Sequence, residues 1–124
     1  RLIKRVVPAM IERRHGRIIC VTSIVDQLAS NVSPSYTAAK GGLAALTRAL
    51  AAELGRHNVT CNAIAPGFFA TETNAAMTRG ESGAQRARRV PLNRWAEPHE
   101  IAGAALLLAS PAGGYINGHT LVVD

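Results

Sequence analysis

With 124 residues, 48% of them apolar and 4% aromatic, the chain can build one modest core, and nothing in these residues suggests a second domain. Its formal charge of +6 comes mainly from arginine, Lys4 and Lys40 being the only lysines; the arginines are scattered except for Arg86, Arg88 and Arg89, with no aromatic residues interleaved, which argues against a nucleic-acid surface. No apolar run reaches the ~20 residues that span a bilayer, and Cys20, Cys61 and the four dispersed histidines offer no metal-ligand spacing.

Taken in chain order, residues 1–14 place Leu2, Ile3, Val6, Val7, Met10 and Ile11 at helical spacing, bent by Pro8 and expected to continue a helix that begins before residue 1. His15-Gly16 should end it, with glycine taking the left-handed turn. Residues 17–22 follow as a strand whose unbroken apolar character suits a parallel sheet covered on both faces. Residues 24–33 read as a loop. Ser33 then offers an N-cap and Pro34 a first helical position, for a helix running to about Leu54 and stopped by Gly55. Leu43, Leu46, Leu50 and Leu54 form its expected apolar stripe. Gly41-Gly42 in mid-helix costs roughly 1 kcal/mol per glycine against alanine, so a close neighbour is expected there.

Val59 to Ala65 reads as a second buried strand, ended by the turn signal Pro66-Gly67. Residues 72–91 carry glycine, serine and charge with little periodicity, and read as a partly helical segment: either a lid or a solvated excursion. Pro98 opens another helix, with Ile101, Ala104, Ala105 and Leu108 on its buried side and an end near Ser110-Pro111. Asn117-Gly118 makes a tight turn into a last strand, Thr120 to Val123. Alanine-rich helices alternating with short apolar strands point to an α/β fold with a parallel sheet. Cys20 and Cys61 fall in strands and read as small core residues rather than a disulfide. The sequons at Asn31 and Asn58 read as chance in a chain whose N-terminus is not signal-like, and the expected location is cytoplasmic.

The chemistry centres on Ser23, Tyr36 and Lys40. Tyr36 and Lys40, at i, i+4 on the predicted helix, stack on one face. A free phenol ionises near pH ~10, and an adjacent ammonium favours its ionised form. Ser23, at the C-terminal end of a strand, could donate a hydrogen bond to a substrate oxygen while Tyr36 exchanges its proton. Pro66-Gly67 ends the next strand, and ligands of open parallel sheets gather at such ends. A serine-hydrolase reading fails, because no Gly-x-Ser-x-Gly elbow is present and no histidine is placed to serve Ser23.

Gly16-Arg17-Ile18-Ile19, Ser23, Ser35-Tyr36-Thr37-Ala38-Ala39-Lys40, Asn62-Ala63-Ile64-Ala65-Pro66-Gly67, Pro91-Leu92-Asn93-Arg94-Trp95 and Tyr115-Ile116-Asn117-Gly118 together resemble the short-chain dehydrogenase/reductase family. The resemblance implies the C-terminal part of a doubly wound, Rossmann-like fold, a single partial domain over 1–124. Family members are about twice this length, and the N-terminal dinucleotide-binding half, with its glycine-rich fingerprint, is absent from these residues. It implies NAD or NADP as cofactor and a small-molecule substrate whose secondary alcohol and ketone are interconverted. Ser23, Tyr36 and Lys40 would be catalytic; Tyr36, Lys40, Pro66, Gly67, Phe68, Phe69 and Thr71 would touch the cofactor. A fourth catalytic residue, an asparagine, would precede Arg1. By the same resemblance Gly41-Gly42 would pack on a symmetry mate, making the complete protein a homodimer or homotetramer; contact with the sheet is the alternative.

Within the family, Cys61 to Asn74, Arg94-Trp95 and Asn117 to Thr120 look most like gluconate 5-dehydrogenases, implying a sugar acid such as gluconate. The second branch is the 3-oxoacyl-[acyl-carrier-protein] reductases, for which the cluster Arg86, Arg88 and Arg89 would suit an acidic carrier. A third reading, of another class, is a non-catalytic assembly module. Either way, the isolated 124 residues are expected to lack turnover.

Overall fold

Three parallel strands in the order β1-β2-β3 carry the rest of the chain. The computed structural model describes residues 2–28 and 33–124, so the Asn31 sequon and part of the 24–33 loop lie outside the described residues. Strand β1 (Gly16–Val21) pairs with β2 (Val59–Pro66) from Gly16↔Val59 to Val21↔Ile64. Strand β3 (Thr120–Val123) pairs with the far side of β2 from Ala63↔Thr120 to Pro66↔Val123. Parallel pairing puts all three C-terminal ends on one edge of the sheet, where the candidate residues fall. β2 is buried from Val59 through Ala65, as expected for a central strand. β1 departs from its expected two-sided cover, alternating between buried and half-buried residues and leaving Val21 exposed.

Helix α1 (Leu2–Glu12) carries Pro8 in its interior and lies with α2 (Pro34–Leu54) over one face of the sheet. Ile3, Val7, Met10, Ile11, Leu43 and Leu50 pack there on Ile18, Cys20, Val59, Cys61 and Ala63. Helix α4 (Ala102–Ala109), with Leu108 buried, rests against β1 and β2 on the face of Thr60, Asn62 and Ile64. Helices on both faces of a parallel sheet make this an α/β, doubly wound arrangement.

The buried stripe of α2 is Ala44, Thr47, Ala51 and Leu54, so of the expected leucines only Leu54 lies in the seam itself. Leu46 is exposed, and Leu43 and Leu50 flank the seam half-buried. Small side chains let the helix sit close to the sheet, and Thr47 satisfies its hydroxyl by donating to the Leu43 carbonyl at 2.9 Å. Ser33 precedes Pro34 as expected, but its hydroxyl pairs with that of Ser35 at 2.7 Å instead of capping a backbone N–H. Gly41 and Gly42 have no atom within 4 Å of where a Cβ would sit, so contact with this sheet does not account for them.

Two helix ends differ from expectation. The left-handed residue after α1 is Arg14 (φ 51°), while Gly16 is already in β1; a side chain on Gly16 would collide with Met10, which is what demands glycine. Gly55 is right-handed and continues α2 into a 3₁₀ turn, Gly55–His57, and Asn58 (φ 60°) ends it. The two ends are stitched together: the Asn58 amide donates to the Arg14 carbonyl at 2.9 Å, and Arg14 donates to the Arg56 carbonyl at 3.1 Å. Asn58 thus has a structural task, consistent with setting its sequon aside. Both cysteines are free and buried, and burial, with Cys20 alongside, pushes the Cys61 thiol up to about 12.

Before β3, two asparagine side chains do the work of backbone. Cys61 N–H points towards β3 one step before that strand begins, and it donates to Asn117 Oδ1 at 2.9 Å. The Asn117 amide donates onward to the Ala51 carbonyl at 3.0 Å, and Gly118 N–H (φ 76°) donates to the Cys61 carbonyl at 2.9 Å. Asn62 mirrors this, donating to the Ile116 carbonyl at 2.8 Å and accepting from His119 N–H at 3.0 Å. The 72–91 segment is partly helical as expected, with a 3₁₀ stretch at Glu72–Met77 and helix α3 at Gly80–Ala87. Pro98 opens a 3₁₀ turn, Pro98–Ile101, that leads into α4.

Candidate active site

Beyond Val21 the chain leaves the sheet under tight control. Thr22 N–H donates to the Ile64 carbonyl at 2.8 Å, and the Thr22 hydroxyl to the same oxygen at 3.2 Å. Ser23 follows in extended conformation, and its hydroxyl accepts from Val25 N–H at 3.5 Å, capping the turn Ile24–Asp26. Its side chain is buried at the strand end, and this bond uses a lone pair of the hydroxyl oxygen, not its proton.

Tyr36 lies in the first turn of α2 and is 45% exposed. Lys40 lies one turn on, its ammonium 5.7 Å from the Tyr36 ring centroid and donating to the Val21 carbonyl at 2.9 Å. The i, i+4 spacing thus produces the expected stacking, with the charge over the ring face. The second bond ties α2 to the end of β1, so helix and strand hold the pair in common.

Ser23 and Tyr36 open into one cleft of about 790 Å³, together with Gly67 and Phe68 from the turn after β2. Lys40, Pro66, Phe69 and Thr71 stand back from it. Pro66 closes β2, and Phe69 is buried, bridging to Ala96; Thr71 N–H bonds to the Phe69 carbonyl at 3.0 Å. The expected cofactor loop therefore divides: Gly67 and Phe68 face the cleft, while the other three shape its backbone.

Sequence patterns did not single out Arg89, Trp95 or Asp124 for the cleft, yet all three line it. Trp95 meets Phe68 edge-on, ring centroids 5.2 Å apart, and its indole N–H donates to the Gly83 carbonyl of α3 at 3.1 Å. A paired fork holds the turn behind it: Arg94 donates to both Glu100 oxygens at 2.6 Å, and Glu100 accepts from Glu97 N–H at 2.7 Å. The Arg94 bonds, then Glu97 N–H, hold the Glu100 carboxyl down to about 2, and the same pairing raises the Arg94 guanidinium. Asp124 sits on Gly67, where a Cβ would collide with it, and accepts from Phe68 N–H at 3.3 Å.

A family model described as enoyl-(acyl carrier protein) reductase matches residues 1–124. The 5-keto-D-gluconate 5-reductase of Escherichia coli K12 is 41% identical over 116 residues, covering 93% of this chain and 46% of that protein. The 3-oxoacyl-[acyl-carrier-protein] reductase of the same strain is 42% identical over 127 aligned residues, covering 100% of this chain and 50% of its own length. A crystal structure of a gluconate 5-dehydrogenase from Burkholderia cenocepacia J2315, in complex with NADP and tartrate, superposes with a TM-score of 0.92 at 37% identity. That match takes in 98% of this chain and 48% of the other. The chain spans about half the length of the curated relatives it matches.

Proposed function

The chain belongs to the short-chain dehydrogenase/reductase family, and from that premise we propose that the protein carrying it interconverts a secondary alcohol and a ketone on a sugar acid, using NAD or NADP. The observation that carries this reading is Ser23 and Tyr36 in one cleft at the C-terminal edge of the sheet, with the Lys40 ammonium stacked on Tyr36.

The residues present fit the nicotinamide end of a dinucleotide. The Lys40 ammonium, one helical turn from the phenol, could meet ribose hydroxyls, and Gly67 and Phe68 offer a wall against which a flat ring can lie. Among the described residues no glycine-rich turn joins a strand to a helix, so they offer no cradle for the diphosphate. The cofactor, when bound, supplies or accepts hydride at the substrate carbon. Ser23 donates to the substrate oxygen and holds it in register. Tyr36 delivers a proton to that oxygen during reduction and takes it back during oxidation. Lys40 sets the field around the phenol and is itself fixed by the Val21 carbonyl.

Resemblance to two gluconate-acting relatives, one crystallised with the hydroxy acid tartrate, favours the sugar-acid substrate. A second reading, a 3-oxoacyl thioester, draws support from the apolar lining at Ile24, Leu28 and Met77, which suits an acyl chain. Assaying 5-keto-D-gluconate against an acetoacetyl thioester in the full-length protein separates them. Removing the hydroxyl with Tyr36→Phe should lower kcat by at least ~100-fold, the usual scale of acid–base assistance, with cofactor Kd unchanged. Turnover within a few-fold of the parent would overturn the assignment of Tyr36.

A further inference from the structure

One cation in the cleft has no task in the scheme above. Arg89 follows α3, and among the described residues it is the only basic side chain that lines the cleft of Ser23 and Tyr36. Its backbone is held on both sides: its N–H donates to the Arg86 carbonyl at 3.0 Å, and Val90, next in sequence, is buried. Of the neighbouring arginines, Arg86 bonds to Ser82 and Arg94 to Glu100, while Arg88 does not line the cleft. The Arg89 guanidinium has no hydrogen-bond acceptor or ion-pair partner among the described residues. Asp124, the acidic side chain in the same cleft, is turned to Phe68 N–H and makes no ion pair with it. A guanidinium fork beside a partly apolar wall is built for a planar oxyanion, and carboxylate is the shape it matches in two bonds.

We propose that Arg89 binds the carboxylate of a hydroxy- or keto-acid substrate and so decides which end of it reaches Ser23 and Tyr36. The assignment rests on the sugar-acid reading above and adds the residue that enforces it. Opposite charges in one cleft give it direction: the acid end is drawn to Arg89 and repelled by Asp124, leaving the carbinol end for the phenol. Thr73 and Asn74 also line the cleft and offer polar groups to the intervening hydroxyls.

The test compares 5-keto-D-gluconate with L-sorbose, the same skeleton with CH₂OH replacing the carboxylate, in the full-length protein. A charge-assisted bidentate pair supports about 10- to 100-fold discrimination. Arg89→Gln should therefore shrink the ratio of kcat/KM values, keto acid over sorbose, by that factor and mainly through KM. Arg89→Lys, which keeps charge but not the fork, should fall between, and Arg88→Gln, which does not line the cleft, should leave the ratio alone. Calorimetry with D-gluconate and neutral D-glucitol reads binding without turnover, and only gluconate should lose affinity in Arg89→Gln. A ratio that moves less than twofold, or equal losses for charged and neutral ligands, would overturn the assignment. If the parent reduces neither ketone, the proposed reaction falls. Calorimetry then decides the anion site alone: gluconate binding weakened by Arg89→Gln upholds it, and absent or unaffected binding sinks it.

Discussion

Replacing Asn117 with alanine removes the side chain that stands in for a strand residue beside β2. Two bonds are lost, to Cys61 N–H at 2.9 Å and to the Ala51 carbonyl at 3.0 Å. They are unequal. Ala51 O also accepts from Gly55 N–H, so it keeps a partner, and that loss is an ordinary hydrogen bond of ~0.5–1.5 kcal/mol. Cys61 is fully buried, and its N–H would be stranded at a cost of about 1–3 kcal/mol. The expected loss is about 1.5–4.5 kcal/mol, a large part of the ~5–15 kcal/mol that holds a typical domain. Asn117 itself reaches solvent, so water entering the gap would draw the result towards the lower end. Urea unfolding followed by circular dichroism measures the total, and amide exchange at Cys61 reports the local event. A loss below ~0.5 kcal/mol with Cys61 protection unchanged would refute the reasoning.

Two further outcomes follow from the site and its support. Lys40→Met deletes the ammonium that spans Tyr36 and the Val21 carbonyl, and should lower both turnover and cofactor affinity, each by about 10-fold or more on the scale of a charged hydrogen bond. Cofactor titration giving an unchanged Kd would remove Lys40 from the ribose. Glu100, held down to about 2 by Arg94 and Glu97 N–H, should keep its carboxylate far into acid. Because its folded pKa lies below the ordinary 4.5, its support for the Trp95 turn is complete above that pH and fades as pH falls towards 2. A carbon NMR titration of the Glu100 carboxyl with a midpoint near 4 would contradict the fork.

What could be read in advance was whatever depends on local pattern. Apolar runs marked β1 and β2, Pro34 marked the start of α2, and the i, i+4 spacing of Tyr36 and Lys40 gave their stacking. Chain reversals were less legible, because left-handed conformations went to Arg14 and Asn58 instead of the glycines beside them, through bonds that cross between elements. The seam of α2 was legible only at Leu54, for a related reason. Hydrophobicity ranks leucine first, whereas close approach to a sheet favours Ala44, Thr47 and Ala51. Arg89 and Trp95 were illegible as cleft residues because only the folding-back of α3, tied through Gly83, brings them to Ser23. No spacing rule links positions so far apart in the chain.

The geometry at Asn117-Gly118 also bears on how the protein ages. In a flexible peptide this dipeptide closes readily to a succinimide, when the glycine nitrogen attacks the asparagine amide carbon and ammonia leaves. Here the nitrogen is committed to the Cys61 carbonyl at 2.9 Å and the amide to Cys61 and Ala51, so attacker and target are each pinned elsewhere. The fold is its own preservative at this position, and chemical decay there is gated by opening. Once an opening lets the ring form, hydrolysis yields aspartate or isoaspartate, removes the donor to Ala51, and makes the next opening easier. Mass analysis of stored samples should find residue 117 intact in native buffer and converted in mild urea; equal rates in both would show that the bonds offer no protection.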